Sequence, residues 1–211
     1  MCSRHLGVML SLTILCGMGV AQETPSMPTS TVTGFLNQSI KQGDSEYKYV
    51  LYVPFGYRAD KVWPLVLFLH GAGERGSDGM KQSDVGIGHA IRFNPDRFPC
   101  LVLMPQCPEE KFWDCMFSPI DSMMAAVQKQ YSVDPKRITL TGLSMGGYGT
   151  WLFGSLKPDT FAALMPICGG GNPADMMRIC KDVDLTHFGS IEDRAKALSA
   201  LPIRAFHGKK D

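Results

Sequence analysis

The sequence predicts an α/β fold with an open, mostly parallel sheet and helices on both faces. Three observations support this prediction. Of the 211 residues, 45% are hydrophobic; strand-like and helix-like segments alternate; and several of the strand-like segments are continuously apolar. Continuously apolar strands are those covered on both faces, and strand–helix alternation implies parallel pairing through right-handed crossovers. The length suits one globular domain.

The first half of the chain contains three predicted strands and a helix. The stretch "YKYVLYVP" alternates polar and apolar residues and ends at a proline, which favours a strand. "WPLVLFLHG" is continuously apolar and is closed by glycine, and "PCLVLMP" is a second continuous run between prolines. The stretch "IDSMMAAVQKQYSV" has the spacing of a helix.

The second half repeats the alternation. "RITLTGLS" predicts a strand and "GYGTWLFGSL" a helix directly after it, followed by strand "FAALMPICGG", helix "IEDRAKALSAL" and strand "IRAFHG". In open parallel sheets, binding and catalytic residues lie at the carboxyl ends of the strands. The turns that follow these strands are therefore where functional residues are expected.

The N-terminus has the layout of a signal peptide. The stretch "MCSRH" carries one arginine, the run "LGVMLSLTILCGMGVA" is apolar and uncharged, and small residues Gly19 and Ala21 are placed for cleavage before Gln22. A membrane anchor is the rival interpretation, but this run of about 16 residues is short for roughly 30 Å of hydrocarbon. We therefore expect a secreted or periplasmic protein with no stable membrane anchor after cleavage.

These boundaries divide the chain into three parts: residues 1–21 as signal peptide, 22–45 as tether and first strand, and 46–211 as the α/β domain. The chain has 21 basic and 20 acidic residues. Binding of nucleic acid usually requires an excess or a cluster of basic residues, so no nucleic-acid partner is expected. No spaced Cys or His pairs and no acidic calcium loop occur, so neither a metal nor a cofactor is expected.

The cysteines allow two local disulfides. Removing the signal peptide takes two of the seven cysteines and leaves five. In an oxidising compartment, Cys107 could pair with Cys115, and Cys168 with Cys180. Buried thiols that act as small hydrophobic groups are an equal alternative for Cys100 and Cys168, because both lie in strand-like runs.

The strongest functional motif is "TGLSMGGYG". Gly142, Ser144 and Gly146 match the glycine–x–serine–x–glycine nucleophile elbow, between a predicted strand and a predicted helix. The serine is held in a strained turn, and a β-carbon two residues to either side would collide with neighbouring backbone. The positive end of the helix favours negative charge that develops at the serine. Ser144 is the predicted nucleophile.

A second motif, "FLHGAGERG", follows an early strand. Acyl transfer places negative charge on a carbonyl oxygen, which two backbone N–H groups can stabilise. A turn of this kind usually supplies one of them. The predicted oxyanion donors are the amides of Met145 and Ala72, and Gly71 and Gly73 are pocket candidates. His70 ends a buried strand ahead of the nucleophile, so we expect it to hold the loop by hydrogen bonds rather than act as a base.

These motifs, with "YVLYVPFGY", "LMPQCPEEKFW" and "FHGKKD" in the same order, resemble the α/β-hydrolase superfamily. Within it, the chain is similar to secreted bacterial esterases of the dienelactone-hydrolase-like branch, also described as predicted peptidases, near the feruloyl and acetyl-xylan esterases. The resemblance implies an α/β-hydrolase fold, an acyl-enzyme on Ser144 and a small or polysaccharide-linked ester substrate. It also implies that the "HGxxD" turn supplies the triad acid, which is Asp211 here.

The triad base has no clear place in the sequence. In this superfamily the histidine follows the acid on a loop beyond one more strand, and the sequence ends at Asp211. The resemblance therefore implies a fragment without the last strand and helix, with ester hydrolysis near background. His187 remains an alternative base and a pocket candidate, since triads on unrelated folds use different chain orders.

Three functions stay open at this point. They are a serine carboxylesterase, a prolyl-oligopeptidase-like serine peptidase that uses the same triad, and an inactive relic of the fold; fold alone does not separate the first two. Trp113 either lines the substrate cleft or is buried near a strand end. Trp151 lies on the helix after the elbow and is expected in the core.

Overall fold

A computed structural model describes residues 31–172 and 189–209. Within them, six strands form one mixed sheet in the order β1-β2-β4-β3-β5-β6. The strands β3, β4, β5 and β6 pair in parallel, and β1 and β2 form an antiparallel edge. The prediction of a mostly parallel sheet is confirmed.

The antiparallel edge is a hairpin of β1 (Gly34–Gln42) and β2 (Ser45–Val53). Its turn is short, and Gly43 adopts φ 58°, which glycine reaches without steric cost. The inner half of β2, which pairs with β4, is buried, whereas most of β1 is partly exposed. This difference explains why β2 has the stronger apolar pattern in the sequence.

The parallel part contains β3 (Trp63–Leu69), β4 (Leu101–Pro105), β5 (Val133–Leu143) and β6 (Ala163–Ile167). Every residue of β4 is buried, as expected for a central strand covered on both faces. The carboxyl ends of β3 and β5 lie side by side, since Leu69 pairs with Gly142. Both functional motifs therefore begin at the same edge of the sheet.

In the part of the chain that the structure describes, four α-helices cover the sheet: α1 (Gly86–Phe93), α2 (Phe117–Gln130), α3 (Met145–Leu156) and α4 (Ile191–Leu198). Two separate hydrophobic clusters show that the helices lie on both faces. The larger cluster joins residues of α2 and α3 to the sheet, and the smaller one joins Ile91 of α1 to Phe68, Val102 and Met104. No helix within these residues is long and apolar enough to cross a bilayer.

The last predicted strand, "IRAFHG", forms two separate parallel bridges to β6 rather than a continuous strand. Ile203 bridges to Leu164, and Phe206 bridges to Ile167. The N–H of Phe206 donates to the carbonyl of Pro166 over 3.0 Å. Pro166 has no N–H with which to donate in return, so the ladder is interrupted between the two bridges.

Candidate active site

Ser144 lies at the junction between β5 and α3 and is exposed. Its backbone has φ 54° and ψ −114°, a region that non-glycine residues rarely adopt. Two hydrogen bonds hold the turn. The Ser144 N–H donates to the carbonyl of Ile167 over 2.8 Å, and the Tyr148 N–H donates to the carbonyl of Ser144 over 3.1 Å. Ser144 is thus an exposed residue on a hydrogen-bonded turn at the edge of the sheet.

The glycines around Ser144 are required by close backbone packing. A β-carbon on Gly142 would stand 2.2 Å from the carbonyl oxygen of Gly146, and one on Gly146 would stand 1.9 Å from that of Leu69. A β-carbon on Gly147 would similarly meet the carbonyl oxygen of Ile167 at 2.5 Å. The start of α3 therefore presses directly against the ends of β3 and β6, and this contact holds the strained turn.

The two candidate oxyanion donors each begin a helical segment. Met145 is the first residue of α3, and Ala72 is the first residue of the 3₁₀ turn Ala72–Glu74. The first N–H groups of a helix have no partner within it, and they point towards its positive end. Gly71 brings the two segments together, because a β-carbon built there would stand 3.7 Å from Cβ of Ser144.

The other glycine of this loop has a different environment. Gly73 is exposed, and a β-carbon there would meet nothing within 4 Å. Gly71 is buried, and its added β-carbon would lie 3.1 Å from Oε2 of Glu74. Gly71 therefore has a close-packing role beside Ser144, whereas Gly73 leaves open space at the rim.

His70 is fully buried beneath this loop. Its Nε2 accepts a 2.9 Å hydrogen bond from the N–H of Cys107, so in the neutral ring Nδ1 carries the proton and donates to the carbonyl of Gly71 over 2.6 Å. Burial lowers the pKa of His70 to about 4. Both ring nitrogens are occupied, which leaves none to accept a proton from Ser144.

The segment after β4 fastens the loop that carries Ala72. The side chain of Gln106 accepts from the N–H of Gly79 over 2.6 Å and donates to the carbonyl of Glu74 over 3.1 Å. The N–H of Gly76 donates to the carbonyl of Cys107 over 3.0 Å. Sequence reasoning did not single out Gln106, although a polar residue directly after a fully apolar strand was the available signal.

Cys107 and Cys115, one of the predicted pairs, are free thiols, and each shifts the pKa of the other. The interaction with Cys115 and burial raise the pKa of the Cys107 thiol, and the interaction with Cys107 lowers the pKa of Cys115. Cys107 is buried and Cys115 is exposed. The exposed thiol is therefore the more readily ionised of the two.

The structure decides between the two interpretations of Trp113 and corrects the expectation for Trp151. Trp113, which was also a pocket candidate, is fully buried, packs edge-on against His70 with ring centroids 4.8 Å apart, and fills the space that Gly149 leaves open. Trp151, expected in the core, is only half-buried and lines a surface pocket. Trp113 thus supports the loop from below, and the indole of Trp151 is the accessible one.

Several predicted site residues lie outside the described part of the chain. These are Asp211, the proposed acid, and His187, the alternative base, together with Cys180 and the signal peptide. Within the described ranges, no hydrogen bond joins a histidine to Ser144. His89 is exposed on α1 against Phe93, and Nε2 of His207 lies 3.3 Å from the carbonyl oxygen of Gly169.

Known structures with similar folds are esterases and other serine hydrolases. A thermostable esterase is 32% identical with a TM-score of 0.62 over 83% of this chain, which spans 55% of that protein. A mutant feruloyl esterase module from Clostridium thermocellum, bound to sinapinate, is 19% identical with a TM-score of 0.58, over 81% of this chain and 65% of the module. The fluorophosphonate-binding serine hydrolase F of Staphylococcus aureus is 17% identical with a TM-score of 0.59, over 82% of this chain and 78% of that one.

Comparison of sequences without structures matches a shorter part of the chain. No model of a known protein family matches the chain. A segment of 51 residues is 39% identical to poly(3-hydroxyalkanoate) depolymerase C of Paucimonas lemoignei, covering 24% of this chain and 12% of that protein. The sheet order, the serine elbow and these structural likenesses agree: the chain has the α/β-hydrolase fold and resembles the esterases and other serine hydrolases that share it.

Proposed function

We propose that the chain carries the nucleophile and the oxyanion hole of a serine carboxylesterase, with Ser144 as the nucleophile. The observation that carries this proposal is the conformation of Ser144, an exposed residue at φ 54° between the mostly buried end of β5 and the start of α3. Holding a non-glycine residue there costs about 1–3 kcal/mol. Such strain is concentrated at functional sites, and here it falls on the residue directly before Met145.

The proposed reaction has two halves. Oγ of Ser144 attacks the ester carbonyl carbon and gives its proton to a base, and the carbonyl oxygen becomes an oxyanion that accepts hydrogen bonds from the amides of Met145 and Ala72. Each donor is worth roughly 3–4 kcal/mol in the transition state. The intermediate expels the alcohol, which takes up the proton. Water then attacks the acyl-serine by the same route, releasing the carboxylic acid and restoring the hydroxyl.

The proposed reaction requires a base that accepts the proton of Ser144. A serine hydroxyl is a weak nucleophile unless a base accepts its proton. His70 does not suit this role, because its Nε2 accepts from Cys107 and its Nδ1 donates to Gly71. Asp211 as the acid and His187 as an alternative base rest on sequence alone.

The substrate class is proposed from the relatives. The 32% identical structure is an esterase, the feruloyl esterase module was solved with sinapinate, and the depolymerase acts, by its name, on a polyester. The chain spans about half the length of the thermostable esterase. For this chain we propose small or polysaccharide-linked acyl esters.

A substrate panel tests the function. The protein, expressed from its complete gene, is assayed with p-nitrophenyl acetate, methyl ferulate and a peptide p-nitroanilide, beside Ser144→Ala and the control Ser39→Ala on the exposed strand β1. Ester turnover that survives Ser39→Ala and is lost in Ser144→Ala supports the proposal. Preferential cleavage of the anilide favours the peptidase instead, and no turnover of any substrate favours an inactive relic.

Export is proposed separately, on the leader-like sequence of residues 1–21. Expression in a bacterial host with the native N-terminus, followed by N-terminal sequencing of the periplasmic or medium fraction, should give a protein that begins at Gln22. An intact N-terminus found only in the cytoplasm would contradict export.

A further inference from the structure

A pocket of about 360 Å³ lies between α3 and α4. Its wall is mostly apolar and includes Tyr148, Trp151, Leu152, Gly171, Arg194 and Leu198. Trp151 is held in place by a 3.0 Å hydrogen bond that its Nε1 donates to the carbonyl of Gly169. The pocket is therefore a formed site, with an indole as one rigid wall.

Arg194 is the unusual residue of this wall, since only 8% of it is exposed. Its Nε is buried without a hydrogen-bond partner, and no ion pair within the described ranges includes it. The adjacent acid does not neutralise it, because Asp193 accepts hydrogen bonds from the N–H and the hydroxyl of Ser190 in the cap of α4. Arg194 is also the sole buried residue of that helix.

An unpaired guanidinium in such a position is costly. Burial lowers the pKa of Arg194, but arginine titrates at such high pH that the group stays charged. Taking a charge out of water without a partner is among the largest single penalties a fold can carry. An anionic ligand in the pocket would offset that penalty by placing a negative charge beside the guanidinium.

We propose that this pocket binds a small monocarboxylate, with its apolar body against Trp151 and Leu152 and its oxygens on the guanidinium of Arg194. The planar fork of arginine matches the two oxygens of a carboxylate. A single positive charge balances one negative charge, and the apolar wall favours an aryl or alkyl group over a bare inorganic anion. The binding site does not depend on the role of Ser144.

Benzoate is a suitable probe, with benzyl alcohol as its neutral counterpart. Isothermal titration of the protein from its complete gene should show benzoate binding that Arg194→Gln weakens by about tenfold or more, the loss of a charge-assisted hydrogen bond. Benzyl alcohol should bind both proteins alike. Arg204→Gln, which removes an exposed arginine outside the pocket, should leave benzoate binding unchanged. Absence of benzoate binding, or equal affinity for Arg194→Gln, would overturn the proposal.

Thermal unfolding provides a second readout that does not rely on affinity. Without ligand, Arg194→Leu should unfold at the same temperature as the wild type or higher, because it removes an unpaired buried charge. Benzoate should raise the unfolding temperature of the wild type and of Arg204→Gln, but not that of Arg194→Leu. A marked loss of stability in ligand-free Arg194→Leu would mean that the guanidinium has a structural partner, and this would contradict the proposed site.

Discussion

The backbone N–H of Cys107 donates a 2.9 Å hydrogen bond to Nε2 of His70. This bond links the end of β4 to the end of β3 beneath the loop that carries Ala72. It also fixes the tautomer, since the proton must then lie on Nδ1, which donates to the carbonyl of Gly71. A buried imidazole held in this way is part of the scaffold that positions the oxyanion loop.

The first prediction concerns the pH dependence of stability. Because the pKa of His70 falls to about 4 in the folded state from an ordinary value of 6.5, the unfolded chain binds a proton first on acidification. Stability should therefore fall as pH drops from 6.5 towards 4, by up to about 1.4 kcal/mol per pH unit from this group. Urea unfolding at pH 7 and pH 5 measures the change.

His70→Gln is the matched variant, because its side-chain oxygen can accept from Cys107 but does not titrate in this range. The variant should be less stable at pH 7. Its free energy of unfolding should also depend less steeply on pH between pH 7 and pH 5, because the contribution of one proton is lost. An unchanged slope would show that His70 titrates normally in the folded protein.

The second prediction concerns the glycine that allows α3 to press on β3. An alanine at Gly146 would place its β-carbon 1.9 Å from the carbonyl oxygen of Leu69, so Gly146→Ala should destabilise the protein by about 4 kcal/mol or more. Gly73→Ala should change stability by less than about 0.5 kcal/mol, because open space surrounds that position. Urea unfolding midpoints compare the two, and similar values would contradict the packing argument.

The third prediction concerns Gln106 as a positioning residue. Gln106→Leu removes the bonds to Glu74 and Gly79 and should lower kcat by about tenfold to a hundredfold, because the loop that carries Ala72 is no longer held. KM should change much less.

The control for Gln106 is Gln42→Leu, which breaks the side-chain hydrogen bonds to Ser118 and Ser122. Gln42 lies on β1, four positions away from β5 in the sheet order. Each variant should lose at most about 3 kcal/mol of stability. Only Gln106→Leu should slow ester hydrolysis. Equal kcat values would show that the loop holds its position without Gln106.

The fourth prediction concerns the free thiols of Cys107 and Cys115, each of which shifts the pKa of the other. Under an oxidising glutathione mixture, the Cys115 thiolate attacks the glutathione disulfide, and the Cys107 thiolate then displaces glutathione to form the intramolecular bond. Mass spectrometry of non-reduced peptides should find a disulfide between the two cysteines. In the Cys115→Ser variant, the peptide that contains Cys107 should be found without this link. Full alkylation of both thiols after oxidation would contradict the pairing.

Much of this architecture follows from local patterns in the sequence. The continuous apolar runs of β3 and β4 could become strands only in the middle of a covered sheet, and the glycines around Ser144 indicated close backbone contact. The remaining features depend on which strands pair with each other. The hydrogen-bond ladder between "IRAFHG" and β6 is interrupted because Pro166 of β6 lacks an N–H. The sequence pattern of "IRAFHG" alone contains no information about Pro166.

Burial of single large or charged side chains was the hardest feature to predict. Trp113 is buried because Gly149, distant in sequence, leaves room for its ring, and Trp151 is accessible because it faces outward between two helices. Arg194 is buried although charged side chains are rarely buried without a partner, and its burial follows from the packing of α4 on α3. These outcomes depend on contacts between segments that propensity and periodicity do not specify.

The most direct measurement of the central claim is a crystal structure of the protein after reaction with a fluorophosphonate. The account predicts a covalent bond between phosphorus and Oγ of Ser144, with the phosphonyl oxygen about 2.7–3.1 Å from the amide nitrogens of both Met145 and Ala72. A label on another residue, or a phosphonyl oxygen that faces away from these two amides, would contradict it.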